Sequence, residues 1–285
     1  MLVLPLIPFF LGYNREVIHN STPSYFFRVR VDTLFINKSE TLISKEGNAG
    51  LDFYLKCQSH EDNLKCHIPK RKSYQPPTNH VHMLRNNFFT PSSLKFKGIR
   101  YRMQFDFKGA TSYIFLKNVK NVKKKNILLK VYRFIGDQLS IGADLRTRGF
   151  EFNATEKTVI GKCPTHYKIS RNKTVSTSEL ELVSFLKNYK LNKDIMFIIN
   201  KQRRVGKCQP QKKYILGRVL WSDLITSKVT AKLQSSRSEM KFTQNDFHSM
   251  TANMFYLYNK QDEIAGYVRE TINVELDFIE DFIED

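Results

Sequence analysis

FNATEKTVIGKCPTHYKI, Phe152 to Ile169, reads as an extended β segment: Gly161 permits a bulge or a close approach, and Cys163 is then presented to a partner strand. Further on, IMFIINKQRRVGKC, Ile195 to Cys208, is an apolar run that passes into basic residues and ends on a cysteine. Strands are expected over Phe150–Ile169 and Asp194–Asn200. Outward from this pair the same two-residue period recurs. In YFFRVRVDTLF, Tyr25 to Phe35, the residues Phe27, Val29 and Val31 share one face. Leu51–Lys56 and Leu64–Ile68 flank the polar stretch Gln58–Asn63 as a hairpin, which brings Cys57 and Cys66 to near-facing positions. Ile99–Phe107 alternates with Tyr101, Met103, Phe105 and Phe107 in phase, and Lys108-Gly109 supplies a turn before Tyr113–Leu116. Further strands are expected at Tyr214–Val219, Ser227–Gln234, Glu239–Thr243, Asn253–Tyr258 and Thr271–Phe278.

One segment changes period. Ile127, Leu128, Val131, Phe134 and Ile135 recur at helical spacing and predict an amphipathic helix over Lys123–Leu139. Its lysines oppose the dipole at the N-terminal end. Packing of its stripe on the sheet is the expected outcome, ahead of lying on a membrane. Pro69–Pro91 reads as an exposed loop and Glu179–Tyr189 as a short surface helix. Many antiparallel strands, one helix and no βαβ rhythm define a mainly β fold with one central amphipathic helix. The expected form is a β-barrel or a strongly curved sheet wrapped on the helix.

The 285 residues are ample for a sizeable core. A formal charge of +19 attracts polyanions of any kind, but no nucleic-acid-binding motif accompanies it, so nucleic acid is not the expected partner class. The cysteines fall as Cys57 with Cys66 and Cys163 with Cys208, and neither spacing is that of a zinc knuckle. Disulfides are the better reading, with free thiols the alternative for the first pair. Asn-X-Ser/Thr sequons stand at Asn20, Asn37, Asn153 and Asn172. Disulfides and sequons together indicate a secretory route and an extracellular location. The apolar start MLVLPLIPFFLG has signal-peptide length but contains Pro5 and Pro8 and lacks a basic n-region, an atypical leader. No segment is apolar over the roughly 20 residues an integral membrane span requires. His60, His67, His80 and His82 read as scattered surface histidines, so no metal site is expected. There is no Gly-rich phosphate loop, nucleophile elbow or H-E-x-x-H stretch, and an enzyme is not expected.

The order Glu156, Val159-X-Gly161-X-Cys163, Thr165, Tyr167 resembles the signature of the vitellogenin family of large lipid transfer proteins. Ile195–Cys208 is similar to that family's next strand, whose cysteine closes the bond. YFFRVRVDTLF, the Cys57/Cys66 hairpin, YRMQFDFKGATSYIFL, KKKNILLKVYRFIGDQL with Asn126, and Ile264–Phe278 follow in the family's order. The resemblance implies a lipovitellin-type N-terminal β-barrel at 23–279, preceded by a leader and arm at 1–22 and followed by an acidic tail at 280–285. It implies a Cys163–Cys208 disulfide and a secreted, non-catalytic lipid-transport-family module that binds a lipoprotein-type receptor with acidic repeats, or an anionic lipid or glycan. Lys201, Arg203, Arg204 and Lys207 are the candidate receptor- or anion-binding residues. No cofactor is implied, although the family association leaves room for lipid. The competing readings are a cationic defence or scaffold protein acting through diffuse charge, and a barrel that carries a single lipid.

Overall fold

The computed structural model describes residues 24–37, 46–60, 63–69, 88–89, 99–106, 108–116, 120, 122–145, 149–173, 195–209, 230–243 and 246–280. In chain order these form β1 (Ser24–Asn37), β2 (Glu46–His60), β3 (Asn63–His67), β4 (Phe88–Phe89), β5 (Arg100–Asp106), β6 (Gly109–Phe115), α1 (Val122–Gln138), β7 (Glu151–Thr158), β8 (Gly161–Lys173), β9 (Ile195–Arg203), β10 (Thr230–Phe242), β11 (Phe247–Tyr258) and β12 (Ile264–Glu280). They make one 12-stranded sheet in the order β6, β5, β3, β2, β1, β12, β11, β10, β9, β8, β7, with β4 added in parallel beside β2. All other pairings are antiparallel.

Strict alternation drives the sheet. In β11 every second residue from Phe247 to Leu257 is buried, and one face of β1 sends Phe27, Val29 and Val31 into the same core. Period-two sequence can cover only one face, and the sheet must curl to hide it. Helix α1 is what it curls around. Tyr132 stacks on Tyr101 of β5 at 3.5 Å between ring centroids, while the hydroxyl of Tyr113 in β6 donates to the Arg133 carbonyl. At the far end of the helix, Gln138 accepts from Ser249 and Thr251 of β11, and Asp137 accepts from the Val159 amide at the β7–β8 turn. One helix thus touches both terminal regions and the middle of the sheet. Among the described residues β6 and β7 are the two ends of the ladder and do not pair with each other. The fold is a strongly curved sheet wrapped on its helix.

Several elements differ in extent from the sequence reading. Phe150–Ile169 is two strands, because the chain reverses at Val159-Ile160 and Gly161 takes a φ of 135°; what reads as a bulge is a hairpin turn. Ser227–Gln234 and Glu239–Thr243 join into the single strand β10, whose register shifts between Leu233 and Ser235. The hairpin at Lys108-Gly109 is held by Asp106, whose carboxylate accepts from both amides. The leader and arm, the Tyr214–Val219 strand, the Glu179–Tyr189 helix and all but the first residue of the acidic tail lie outside the described residues. So does most of Pro69–Pro91, within which Phe88–Phe89 forms β4.

Both disulfides are present. Cys57 and Cys66 are directly opposed on β2 and β3, and Cys163 joins β8 to Cys208, which follows a 3-10 turn at Val205–Lys207. The sequence separations are 9 and 45, so the second link removes more freedom from the unfolded chain, about 4 kcal/mol against about 2.5 for the first. Replacing Cys163 and Cys208 together by Ala should therefore lower the denaturation midpoint more than replacing Cys57 and Cys66, as read by urea unfolding of the two double variants.

Candidate functional site

The basic strand end singled out in the sequence divides in two. Along β9, Phe197, Ile199, Lys201 and Arg203 are in phase, and all of them face the core: Lys201 is 3% exposed and Arg203 6%. They meet Glu156 of β7, 1% exposed, which shares their side of the sheet across β8. Lys201 Nζ donates to Glu156 Oε1 at 2.9 Å and to the Ser140 carbonyl at 2.7 Å. Arg203 Nε donates to Glu156 Oε2 at 2.7 Å, and its Nη1 donates to Ser236 Oγ at 3.1 Å and Ser238 Oγ at 2.8 Å. Ser238 Oγ lies 2.7 Å from Thr251 Oγ1, which in turn donates to Gln138 at 3.0 Å. An ionic and hydroxyl layer therefore crosses the core from β7 to β11 and ends on α1. The assignment of Lys201 and Arg203 to a receptor surface is corrected accordingly. Buried, hydrogen-bonded cations cannot meet a macromolecule without unfolding the strand that carries them.

Electrostatics accounts for how such charges stay inside. Burial disfavours an ionised Glu156, yet Arg203 and Lys201 outweigh it and hold the carboxyl below its ordinary range. Burial lowers the Lys201 ammonium, with Glu156 opposing that shift. Asp137, close by, is pushed from 3.8 up to about 7, by burial first, against the Val159 amide, with Glu156 adding to the rise. A void of about 20 Å³ lies among Phe134, Asp137, Val159, Arg203, Asn253 and Ile272, room for a water molecule. Gly142, with a φ of 83°, passes so close to Glu156 that a Cβ there would stand 2.5 Å from the carboxylate. Both Glu156 oxygens are occupied by cations, which leaves the carboxylate no lone role as an acid or base.

What remains at the surface is a smaller patch around the Cys163–Cys208 bond. Arg204, which precedes the 3-10 turn, and Lys207, its last residue, are exposed, and the Arg204 amide donates to the Pro164 carbonyl. Exposed Lys162 pairs through its backbone with Gln209, beside the bonded Cys208, and stands directly opposite exposed Lys157 on β7. Lys157 and Lys162 escape a reading based on charge runs, since only the hairpin brings them beside Arg204 and Lys207. The burial of Lys201 and Arg203 follows from their phase with Phe197 and Ile199, which their charge conceals in the sequence. Of the sequons, Asn153 and Asn172 are exposed on β7 and β8, Asn37 lies in β1, and Asn20 is outside the described residues. His67 lies on the outer face of β3, His60 ends β2, and His80 and His82 are outside the described residues. Among the described residues no group of three or more His, Cys, Asp or Glu is arranged to hold a metal ion, and no helix is long and apolar enough to cross a membrane.

The architecture is a curved, mainly antiparallel sheet wrapped on one helix. It superposes on a solved structure of lipovitellin, described for its lipid–protein interactions, with a TM-score of 0.55 and 9% sequence identity, covering 93% of this chain and 26% of that one. The chain thus spans about a quarter of the length of that protein and shares its fold over this region. No family model matches the sequence, and no curated protein matches it.

Two measurements probe the buried layer. Glu156→Gln leaves Lys201 and Arg203 without a counter-charge and should cost about 3–5 kcal/mol of stability, seen as a lower urea midpoint. For Asp137 the native state binds the proton more tightly than the unfolded chain, so stability falls as pH rises from about 4 to about 7. Glu156 gives the opposite slope below its ordinary value. Asp137→Asn should therefore abolish the downward trend between pH 4 and 7 in the melting temperature measured against pH.

Proposed function

We propose that this domain is a secreted, non-catalytic binding module of the lipid-transport type, which engages an acidic receptor-type protein through Lys157, Lys162, Arg204 and Lys207. The observation that carries the reading is the pair Lys157 and Lys162, two exposed lysines directly opposite one another on adjacent strands. Like charges in that position destabilise a sheet. No carboxylate offsets them among the described residues, and an acidic partner would relieve the repulsion. The disulfide beside them anchors the backbone, which reduces the ordering cost of association.

Likeness to lipovitellin supports membership of a lipid-transport group, and two disulfides support an oxidising, extracellular destination. The single-lipid reading finds little support in the described interior. Among the described residues the inner face of the sheet packs on α1 and on the ionic layer, and the void beside them, lined by Phe134, Val159, Ile160 and Ile272 as well as by polar groups, is water-sized.

Binding to acidic receptor repeats, followed on a biosensor, should weaken steeply with salt. Reversing Lys157, Lys162, Arg204 and Lys207 to Glu should reduce affinity by about a hundredfold or more, mostly through faster dissociation of the short-range pairs and slower encounter. Unchanged affinity of this quadruple variant would remove the site. Small, equal losses from charge reversals anywhere on the surface would favour diffuse charge instead.

A further inference from the structure

The opposite rim of the sheet combines charge with exposed apolar surface. On the outer faces of β3 and β5, Lys65 stands opposite Arg102, and His67 opposite Arg100. Their neighbours Leu64, Cys66, Tyr101 and Met103 fill the core, so these side chains point outward. Lys56 of β2 extends the second row. Among the described residues no carboxylate pairs with Lys65, Arg100 or Arg102, and the Arg102 Nε, shielded from water, has no acceptor. Burial, with Arg100 and Lys56, holds the His67 imidazole below its ordinary range, so it sits uncharged in the row at neutral pH.

Both rows run on into the terminal strand β6. Ile114 is opposite Arg102, and the amide of Leu116 donates to the Arg100 carbonyl at 3.0 Å. Ile114 is 45% exposed and Leu116 40%, and Val122, at the start of α1, is 69% exposed between exposed Lys120 and Lys125. Three of the five exposed large hydrophobics among the described residues therefore fall in one short stretch beside unneutralised cations. Apolar surface concentrated in this way marks a contact site.

The combination selects the occupant. A soluble polyanion has no use for Ile114 and Leu116. A second copy of the chain would set like-charged rows against one another. The surface of an anionic bilayer offers both counterparts, phosphate-bearing head groups for the cations and an interfacial layer for short apolar side chains at the same edge. We propose that the outer edge of β3, β5 and β6 is a peripheral docking surface for anionic phospholipid membranes, with Lys65, Arg100 and Arg102 on the head groups and Ile114 and Leu116 inserted beside them. This surface lies at the other end of the sheet from the patch at the Cys163–Cys208 bond and does not depend on the receptor reading.

The test is flotation of the full chain with phosphatidylcholine vesicles prepared with and without phosphatidylserine. Binding is expected only when phosphatidylserine is present. The variant Lys65→Glu/Arg100→Glu/Arg102→Glu should bind about a hundredfold more weakly, and Ile114→Asp/Leu116→Asp about tenfold more weakly. The second pair is exposed, so its melting temperature should match the parent's and separate lost binding from lost fold. Ile114→Trp should be quenched by brominated acyl chains, which reports insertion directly. Parental vesicle binding by Ile114→Asp/Leu116→Asp, with no quenching at position 114, would overturn the proposal and leave a polyanion site. So would sedimentation showing a self-associated parent and a monomeric Ile114→Asp/Leu116→Asp, which would make the patch an interface between copies. Reversal of Lys157, Lys162, Arg204 and Lys207 should leave vesicle binding intact, and its loss there alone would place the membrane site at the wrong rim.

Discussion

The carboxylate of Glu156, gripped by Lys201 and Arg203, is the contact on which the rest of the architecture depends. It lies on the terminal strand β7, while its partners lie two strands away on β9, and Lys201 also reaches the Ser140 carbonyl just beyond the helix. One anion therefore ties the end of the sheet, its third strand and the exit of α1 to a common point. Apolar contacts alone tolerate a strand slipping along its neighbour by two residues, whereas an ion pair at 2.7–2.9 Å does not. A slip of one residue would turn both cations outward and leave Glu156 buried without them, at a cost of several kcal/mol. The layer thus specifies register in a sheet otherwise held by interchangeable Phe, Val and Ile side chains.

That role explains which parts of the fold were legible in the sequence. Strands β1 and β5 show plain alternation because one face is apolar and the other wet, and the helix announces itself through Leu128, Val131, Phe134 and Ile135. The cysteine pairs were legible for a similar reason, since each lies on the inward phase of a strand or just past one. The polar core was not. Lys201 and Arg203 occupy inward positions, where a scale based on residue type assigns them to solvent, and phase has to override chemistry. Ser236, Ser238, Ser249 and Thr251 mislead in the same way: their sequence reads as a polar face, and only cross-strand pairing shows that they solvate Arg203 and Gln138. The hairpin at Gly161 was missed because Val159 and Ile160 look like strand interior, although their job is to cap the bottom of α1 through the bond between the Val159 amide and Asp137.

Satisfying charge inside has a consequence for charge outside. Glu156 is committed to Lys201 and Arg203, and Asp52 to Arg28 and Arg30, in a chain whose 46 Lys and Arg outnumber its 27 Asp and Glu. Cross-strand register then places like charges side by side at both rims, Lys157 with Lys162 at one and Lys65 with Arg102 at the other. Repulsion of this kind lowers stability by a few tenths of a kcal/mol per pair. It also leaves each rim with an electrostatic deficit that an anionic partner removes on contact, so a weakness of the isolated domain becomes part of its binding energy.

The two rims are not equivalent, and their difference follows from what lies next to the cations. Beside Lys162 the chain is pinned by the Cys163–Cys208 bond and surrounded by polar groups, a rigid charged surface suited to carboxylates on a folded partner. Beside Arg102 the next strand ends the sheet with Ile114 and Leu116 half exposed, a surface that gains from a partner with both charge and an apolar layer. Lipovitellin's fold by itself distinguishes neither. A likeness extending over 26% of that protein carries the curved sheet and its helix, and among the described residues the sheet packs on α1 through the apolar core and, at the helix's C-terminal end, through the Glu156 layer. On the membrane reading proposed above, lipid meets this domain at the outer edge of β5 and β6, where Arg100 and Ile114 are exposed.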